Sequence, residues 1–279
     1  MKLGCLAFLL IVPLALAAPA APPEPADGDP ALSGLFAQRG VTGTLIIESL
    51  DGRTVWIHNP ERTGERFLPA STFKIPNTLI ALEAGAVRDE AEVIRWDGVE
   101  RSIPAWNRDQ SLSTAFQASC VWFYQELARR VGAGVYRREL GRIGYGNGAS
   151  GPAVDTFWLD GELRISAREQ IDFLKRVYRG ELPFRPENLE VLRRLMVVES
   201  APGYVLRAKT GWALRVPRQL GWYVGWLEVL PAEGSPAGTG SVVWFFALNM
   251  DFTAREQAAY RVEIVRDALR AKGLLPTGK

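Results

Sequence analysis

Two hydrophobic periods divide this chain. Near both ends apolar residues alternate or run together as strands do, and between them they recur every three or four positions as on helices. Gly43-Thr44-Leu45-Ile46-Ile47-Glu48 is β-rich, Asp51-Gly52 supplies a turn, and Thr54-Val55-Trp56-Ile57-His58 follows, which predicts a hairpin. Ser71 to Ala84 carries an amphipathic helical pattern that ends near Gly85. From Trp96 to Arg194 the chain reads as helices with loops, with helical spacing over Ser111 to Ala115, Val121 to Val131, Ala167 to Arg179 and Pro186 to Val197. After Gly203 the character changes. Tyr204 to Thr210, Leu220 to Leu230 and Val242 to Met250 are rich in Val, Trp, Phe and Tyr and are separated by turn residues, which predicts three antiparallel strands. Ala254 to Lys272 closes the chain as a helix. Strands at both ends with helices between predict an α/β (α+β) fold. One antiparallel sheet is built from both chain ends and flanked by helices, a mainly helical subdomain is inserted, and a cleft forms where the two parts meet.

The first residues stand apart from that pattern. Lys2 supplies a positive charge, Leu3 to Leu16 is almost wholly apolar, and Ala15-Leu16-Ala17 is a small-x-small cleavage pattern. Residues 1–17 therefore read as a secretory signal peptide, too short to serve as a membrane span. Residues 18–30 read as a flexible Pro/Ala lead-in, which leaves residues 31–279 as one domain. No later stretch could cross a bilayer, so the expectation is an exported, periplasmic protein without a membrane partner after signal cleavage.

Composition narrows the function classes. At 47% hydrophobic and 23% charged residues the chain is an ordinary globular protein. A net charge of +2 with no block of Lys or Arg excludes a nucleic-acid or anionic-membrane binder. Beyond the signal peptide a single cysteine, Cys120, remains, so no internal disulfide is available. With one histidine, His58, and no clustered ligands, a metal site is not expected.

The candidate chemistry begins at Ser71-Thr72-Phe73-Lys74. Positions i and i+3 share a helix face, so the Lys74 amine can sit beside the Ser71 hydroxyl and take its proton. A serine needs such a base to become nucleophilic, and His58 is the only histidine. Taken alone the pattern also fits an exposed first helical turn. Two further elements follow in order: Ser119-Cys120-Val121 in the helical middle, and Lys209-Thr210-Gly211 at the end of a predicted strand.

This order of motifs resembles the penicillin-recognising serine enzymes. Tyr145-Gly146-Asn147, Phe157-Trp158-Leu159 and Gly221-Trp222-Tyr223-Val224-Gly225-Trp226 narrow the resemblance to the class D, oxacillinase-type β-lactamases, from about Gly40 to the C-terminal helix. The resemblance implies hydrolysis of β-lactam antibiotics, and with it resistance. Ser71 would be the nucleophile, with its own backbone N–H and that of Trp212 as oxyanion hole. Lys74, surrounded in sequence by apolar residues that lower an amine pKa, would be carboxylated by CO2 and act as general base. Carbon dioxide or bicarbonate would be the only cofactor. Trp158 alone reads as core packing. Within Phe-Trp-Leu it matches the tryptophan whose indole N–H holds the carbamate. Ser119 would relay a proton to the lactam nitrogen, or cap the helix from Val121. Val121 and Leu159 would keep the pocket dry, and Tyr145-Gly146-Asn147 reads as a turn lining the cleft. Lys209, Thr210 and Gly211 would lie beside the nucleophile. Arg261, favoured over Arg255 and Arg266, would bind the substrate carboxylate.

The short segment Trp212 to Gly221 with Arg215, together with Trp96-Asp97-Gly98 and Ala105-Trp106-Asn107-Arg108-Asp109, resembles the carbapenem-hydrolysing members of the class. The competing expectations are a β-lactam sensor that is acylated without turnover and a D-alanyl-D-alanine peptidase. A monomer and a homodimer are both compatible with the sequence.

Overall fold

A computed structural model describes residues 28–231, 234, 236 and 240–276. The expected signal peptide at 1–17 and most of the lead-in lie outside the described residues. The lead-in's last residues belong to the fold: Asp29 caps helix α1 (Pro30–Arg39) by accepting from the N–H groups of Ala31 and Leu32, and Pro30 is the first helical residue. Pro fits there because its missing N–H would have no helical partner.

The chain then forms β1 (Gly43–Ser49) and β2 (Val55–His58), the expected hairpin, followed by α2 (Lys74–Glu83). The helical middle holds a small ribbon of β3 (Val93–Ile94) with β4 (Gln110–Ser111), then α3 (Leu112–Gln117), α4 (Val121–Val131), α5 (Ala133–Ile143), α6 (Ala167–Arg179) and α7 (Pro186–Leu195). Strands β5 (Val197–Ala201), β6 (Tyr204–Ala213), β7 (Leu220–Val229) and β8 (Val242–Asp251) and helix α8 (Tyr260–Ala271) complete it. Helical spacing up to Val197 overshoots. The helix stops at Leu195 because β6 recruits Val197 as the first residue of an edge strand, with Val197 opposite Arg207. Likewise the expected helix from Ala254 starts with a 3-10 turn, Arg255–Ala259, before α8.

The main sheet runs β2-β1-β8-β7-β6-β5, every pair antiparallel. Strand β1 from the N-terminal part pairs with β8 from the C-terminal part, Leu45 opposite Leu248, so both chain ends build one sheet. Its central strands are buried on both faces, and their alternation sorts the side chains. Ile46, Trp222, Val224, Trp226, Phe245 and Ala247 join the core shared with the helical middle. Leu45, Ile47, Tyr223, Phe246, Leu248 and Met250 join a second core under α1 and α8. The two covering helices are tied by Arg39 and Asp267 at 2.6 Å.

Candidate active site

The segment that carries Ser71 is a 3-10 turn, Ala70–Phe73, that runs into α2 at Lys74. A continuous α-helix from Ser71 was the expectation. Three residues per turn stack i over i+3 more squarely than an α-helix does, and Lys74 Nζ lies 2.9 Å from Ser71 Oγ. The turn is strained: Ala70 has φ +47°, a conformation that non-glycine residues rarely adopt. Bonds on both sides hold it. Ala70 N–H donates to the Trp158 carbonyl at 3.0 Å, and the Thr72 hydroxyl donates to the Pro69 carbonyl at 2.7 Å.

Lys74 is fully buried. Its amine sits 5.0 Å from the centre of the Tyr124 ring, and no carboxylate pairs with it among the described residues. Burial lowers its pKa to about 7. Trp158 is equally buried and stacks on Phe73, ring centres 5.3 Å apart.

Ser119 lies between α3 and α4 with φ +54°. It is not the cap of α4. Cys120 occupies that position without a side-chain cap bond, and Ser119 Oγ accepts from Lys209 Nζ at 3.0 Å. Lys209 comes from β6 and is also buried, with its pKa pushed well below the usual lysine range by burial first and then by the neighbouring charges of Lys74 and Arg261.

Strand β6 approaches the Ser71 turn so closely that a side chain at residue 211 would press on its neighbours. A Cβ there would stand 3.0 Å from the Pro69 carbonyl oxygen and 3.2 Å from Thr72 Cγ2. Gly221, opposite Trp212 on β7, makes room for a cation instead: a Cβ there would fall 2.5 Å from Arg261 Cδ. Arg261, on the first turn of α8, donates from Nε to the Ala258 carbonyl at 2.7 Å and from Nη1 to the Gly211 carbonyl at 2.5 Å. It packs between Trp212 and Phe252. Burial lowers its pKa to about 10, so it stays charged at neutral pH.

These groups surround a cavity of about 370 Å³. Ser71, Ser119, Val121 and Leu159 line one side, and Thr210, Gly211, Trp212, Arg215 and Arg261 the other. Lys74, Lys209 and Trp158 lie beneath that lining. Among the described residues no carboxylate lines the cavity and two arginines do, so its electrostatics suit an anionic ligand. Arg215 reaches across the mouth to Asp160 at 2.9 Å.

Tyr145-Gly146-Asn147 is a turn but does not line this cavity. Asn147 braces the segment that follows Trp158, donating to the Glu162 carbonyl and accepting from Arg164 N–H, both at 2.9 Å. Ile103 and Leu214 are cleft residues that the sequence reading passed over. They are apolar yet 38% and 54% exposed and stand at the mouth from opposite loops. A lone apolar residue in a polar loop was the only available signal. Trp106 also lines the cleft, fixed by its indole N–H on the Ala118 carbonyl at 2.9 Å.

Comparison with known proteins agrees with this geometry. The profile described as penicillin binding protein transpeptidase domain matches residues 57–268. The chain is 44% identical to the OXA-2 β-lactamase of Salmonella typhimurium over 244 residues, covering 86% of this chain and 84% of that one. It is 39% identical to the OXA-48 β-lactamase of Klebsiella pneumoniae over 241 residues, covering 86% and 87%. Among solved structures, the class D β-lactamase YbXI from Nostoc superposes with a TM-score of 0.82 at 41% identity, over 88% of this chain and 99% of that one. The class D enzyme OXA-85 from Fusobacterium nucleatum gives 0.83 at 33% identity, over 89% and 100%.

Proposed function

The chain belongs to the class D β-lactamases, and from that premise we propose that it opens β-lactams through an acyl-enzyme on Ser71, with carboxylated Lys74 as the general base. The observation that carries this reading is a lysine amine buried without a carboxylate partner, 2.9 Å from a serine hydroxyl that faces the cavity. An amine with a pKa of about 7 is half neutral near neutral pH, and only the neutral amine has the lone pair that adds to CO2. The carbamate would supply an anionic oxygen base in a pocket walled by Phe73, Tyr124 and Trp158, and the Trp158 indole N–H is the donor proposed to hold it.

The protons can be followed through the reaction. The base at position 74 takes the Ser71 hydroxyl proton as Oγ attacks the lactam carbonyl. The oxyanion forms toward the Ser71 and Trp212 N–H groups, where two aimed donors are worth a few kcal/mol of transition-state stabilisation. When the C–N bond breaks, the ring nitrogen needs a proton. Ser119 Oγ, bonded to Lys209 Nζ, can pass one on. The proton taken from Ser71 passes on to replace the one given up through Ser119 and Lys209, which frees the base. Water then attacks the ester. The base takes the water proton and gives it to Ser71 Oγ as the ester C–O bond breaks, and the ring-opened acid leaves. Arg261 faces the cavity with its Nη2 uncommitted among the described residues, and there it would bind the substrate carboxylate. Val121 and Leu159 shield the lysine pocket from bulk water.

Carbapenems are included among the proposed substrates. The connection between β6 and β7 is short, and the Arg215–Asp160 bond holds it over the cleft. Export to the periplasm is proposed from the charge and apolar run of residues 1–17, and no helix among the described residues is long and apolar enough to cross a membrane.

A substrate panel of a penicillin, a cephalosporin and a carbapenem, each with and without bicarbonate, tests the reading. Turnover of at least one that rises with bicarbonate is expected. Lys74→Ala should leave a long-lived acyl adduct or none, without rescue by bicarbonate, and full activity in that variant would remove the lysine from the mechanism.

A further inference from the structure

We infer that Gln170 is a positioning residue for the nucleophile, acting through the hydroxyl of Thr72. This rests on Ser71 being the group that attacks. Gln170 lies on α6, away from the cleft, and is fully buried. Its Nε2 donates to Thr72 Oγ1 at 3.0 Å. Its Oε1 has no hydrogen-bond partner among the described residues. A buried amide with an unpaired acceptor destabilises the fold, and an apolar side chain would fill that helix face more favourably. What the amide gains there is the bond to Thr72.

Thr72 is where that bond matters. Its hydroxyl accepts from Gln170 and donates to the Pro69 carbonyl, so one rotamer is locked. That carbonyl also accepts the Thr72 N–H at 3.1 Å and so closes the turn in which Ala70 is forced to φ +47°. The locked rotamer aims the Thr72 methyl at Gly211, next to the residue that supplies the second oxyanion donor. Thr72 therefore sets both the shape of the turn that presents Ser71 and the spacing between that turn and β6. Tyr145 stands at the edge of the network, its hydroxyl 3.5 Å from Gln170 Nε2 and its ring against Phe73. This accounts for a buried tyrosine in a motif that does not line the cavity.

Gln170→Met, Thr72→Val and Thr72→Ser separate positioning from support. The measurements are single-turnover acylation by a fluorescent penicillin, with saturating bicarbonate, and thermal unfolding. Gln170→Met and Thr72→Val should acylate roughly tenfold to a hundredfold more slowly, the scale of a small misplacement of a reacting group. Gln170→Met should melt no lower than the parent, because it removes an unpaired acceptor. Thr72→Ser keeps the hydroxyl but removes the methyl that faces Gly211, and should acylate faster than Thr72→Val. Slower acylation without lower melting is something a purely structural role cannot produce. Parent-like acylation in Gln170→Met overturns the inference, as does slowing that merely tracks melting. If Thr72→Val does not fold, Gln170→Met alone decides. A parent enzyme that is never acylated at Ser71 overturns the functional reading itself, whereas acylation of the parent and the variant at one rate overturns only the role of Gln170.

Discussion

At position 74 the proposed mechanism turns on a single proton. The amine is protonated below its pKa of about 7 and neutral above it, and only the neutral form can take up CO2. Activity at subsaturating bicarbonate should therefore fall as the pH drops through 7, by about tenfold per unit once well below that value. It should be recovered on returning to pH 8. Initial rates from pH 5.5 to 8.5 check this, and a flat profile would rule out titration of the buried amine. The sequence supplied the residue type, the i, i+3 spacing and the apolar neighbours. It could not show that the turn before Lys74 is 3-10, nor that Ser119 has a left-handed backbone and a lysine partner in place of a capping role. Both follow from contacts with residues some ninety positions away, such as Lys209.

At the scale of elements, the connection from β6 to β7 meets the segment between α5 and α6 through Arg215 and Asp160. Both side chains are well exposed, at 53% and 35%. Such a pair contributes at most about 1 kcal/mol to stability, so its consequence lies in where it holds the loop. Arg215→Ala and Asp160→Ala should each leave the melting temperature nearly unchanged and alter the ratio of carbapenem to penicillin kcat/KM in the same direction. The double variant should be no worse than either single one. Equal ratios in all four proteins would dissociate this contact from substrate choice. Strongly periodic elements were legible at this scale: α4 and α6 begin and end where helical spacing placed them. Helix α1 was missed because it buries only Leu32 and Phe36, too sparse a stripe to register. Val197, the first residue of strand β5, was read as the end of a helix and the rest of β5 was left unassigned, because pairing to β6 overrides local preference.

For the whole molecule, the link between the Ser71 segment and the sheet is a buried cation. Arg62, 4% exposed, donates from Nε to Asn249 Oδ1 at 2.7 Å and through both Nη atoms to Asp251 at 2.8 and 3.0 Å. Its guanidinium lies 4.7 Å from the centre of the Phe67 ring. Burial pushes the Asp251 carboxyl up, but the bonds from Arg62 and Arg218 hold it below the usual carboxylate range. One residue beyond Phe67, the Leu68 carbonyl accepts from the Trp222 indole at 2.9 Å. Together these fasten residues 62–68 to β7 and β8 just before the turn that carries Ser71. Arg62→Met leaves the partly buried Asp251 with only Arg218 as a charged partner and the buried Asn249 Oδ1 without its donor. It should cost about 3–5 kcal/mol, the usual result of breaking a buried pair from one side, and lower the melting temperature by roughly 10 °C. Calorimetry on the variant checks this, and an unchanged transition would mean that the pair contributes nothing net.

The sequence by itself determined the family and the sheet made from both chain ends, and it singled out the serines, lysines and arginine that the structure gathers around one cavity. These are carried by residue type, local period and motif order, which survive without knowing what touches what. Only the tertiary structure decided which side chains meet. It placed Gln170 behind Thr72, Asn147 beneath the following loop, Ile103 and Leu214 at the mouth, and Gly221 where Arg261 passes. Such pairings join residues far apart in the chain, and they are selected by close packing and by the need to satisfy buried polar groups, neither of which leaves a periodic trace along the sequence.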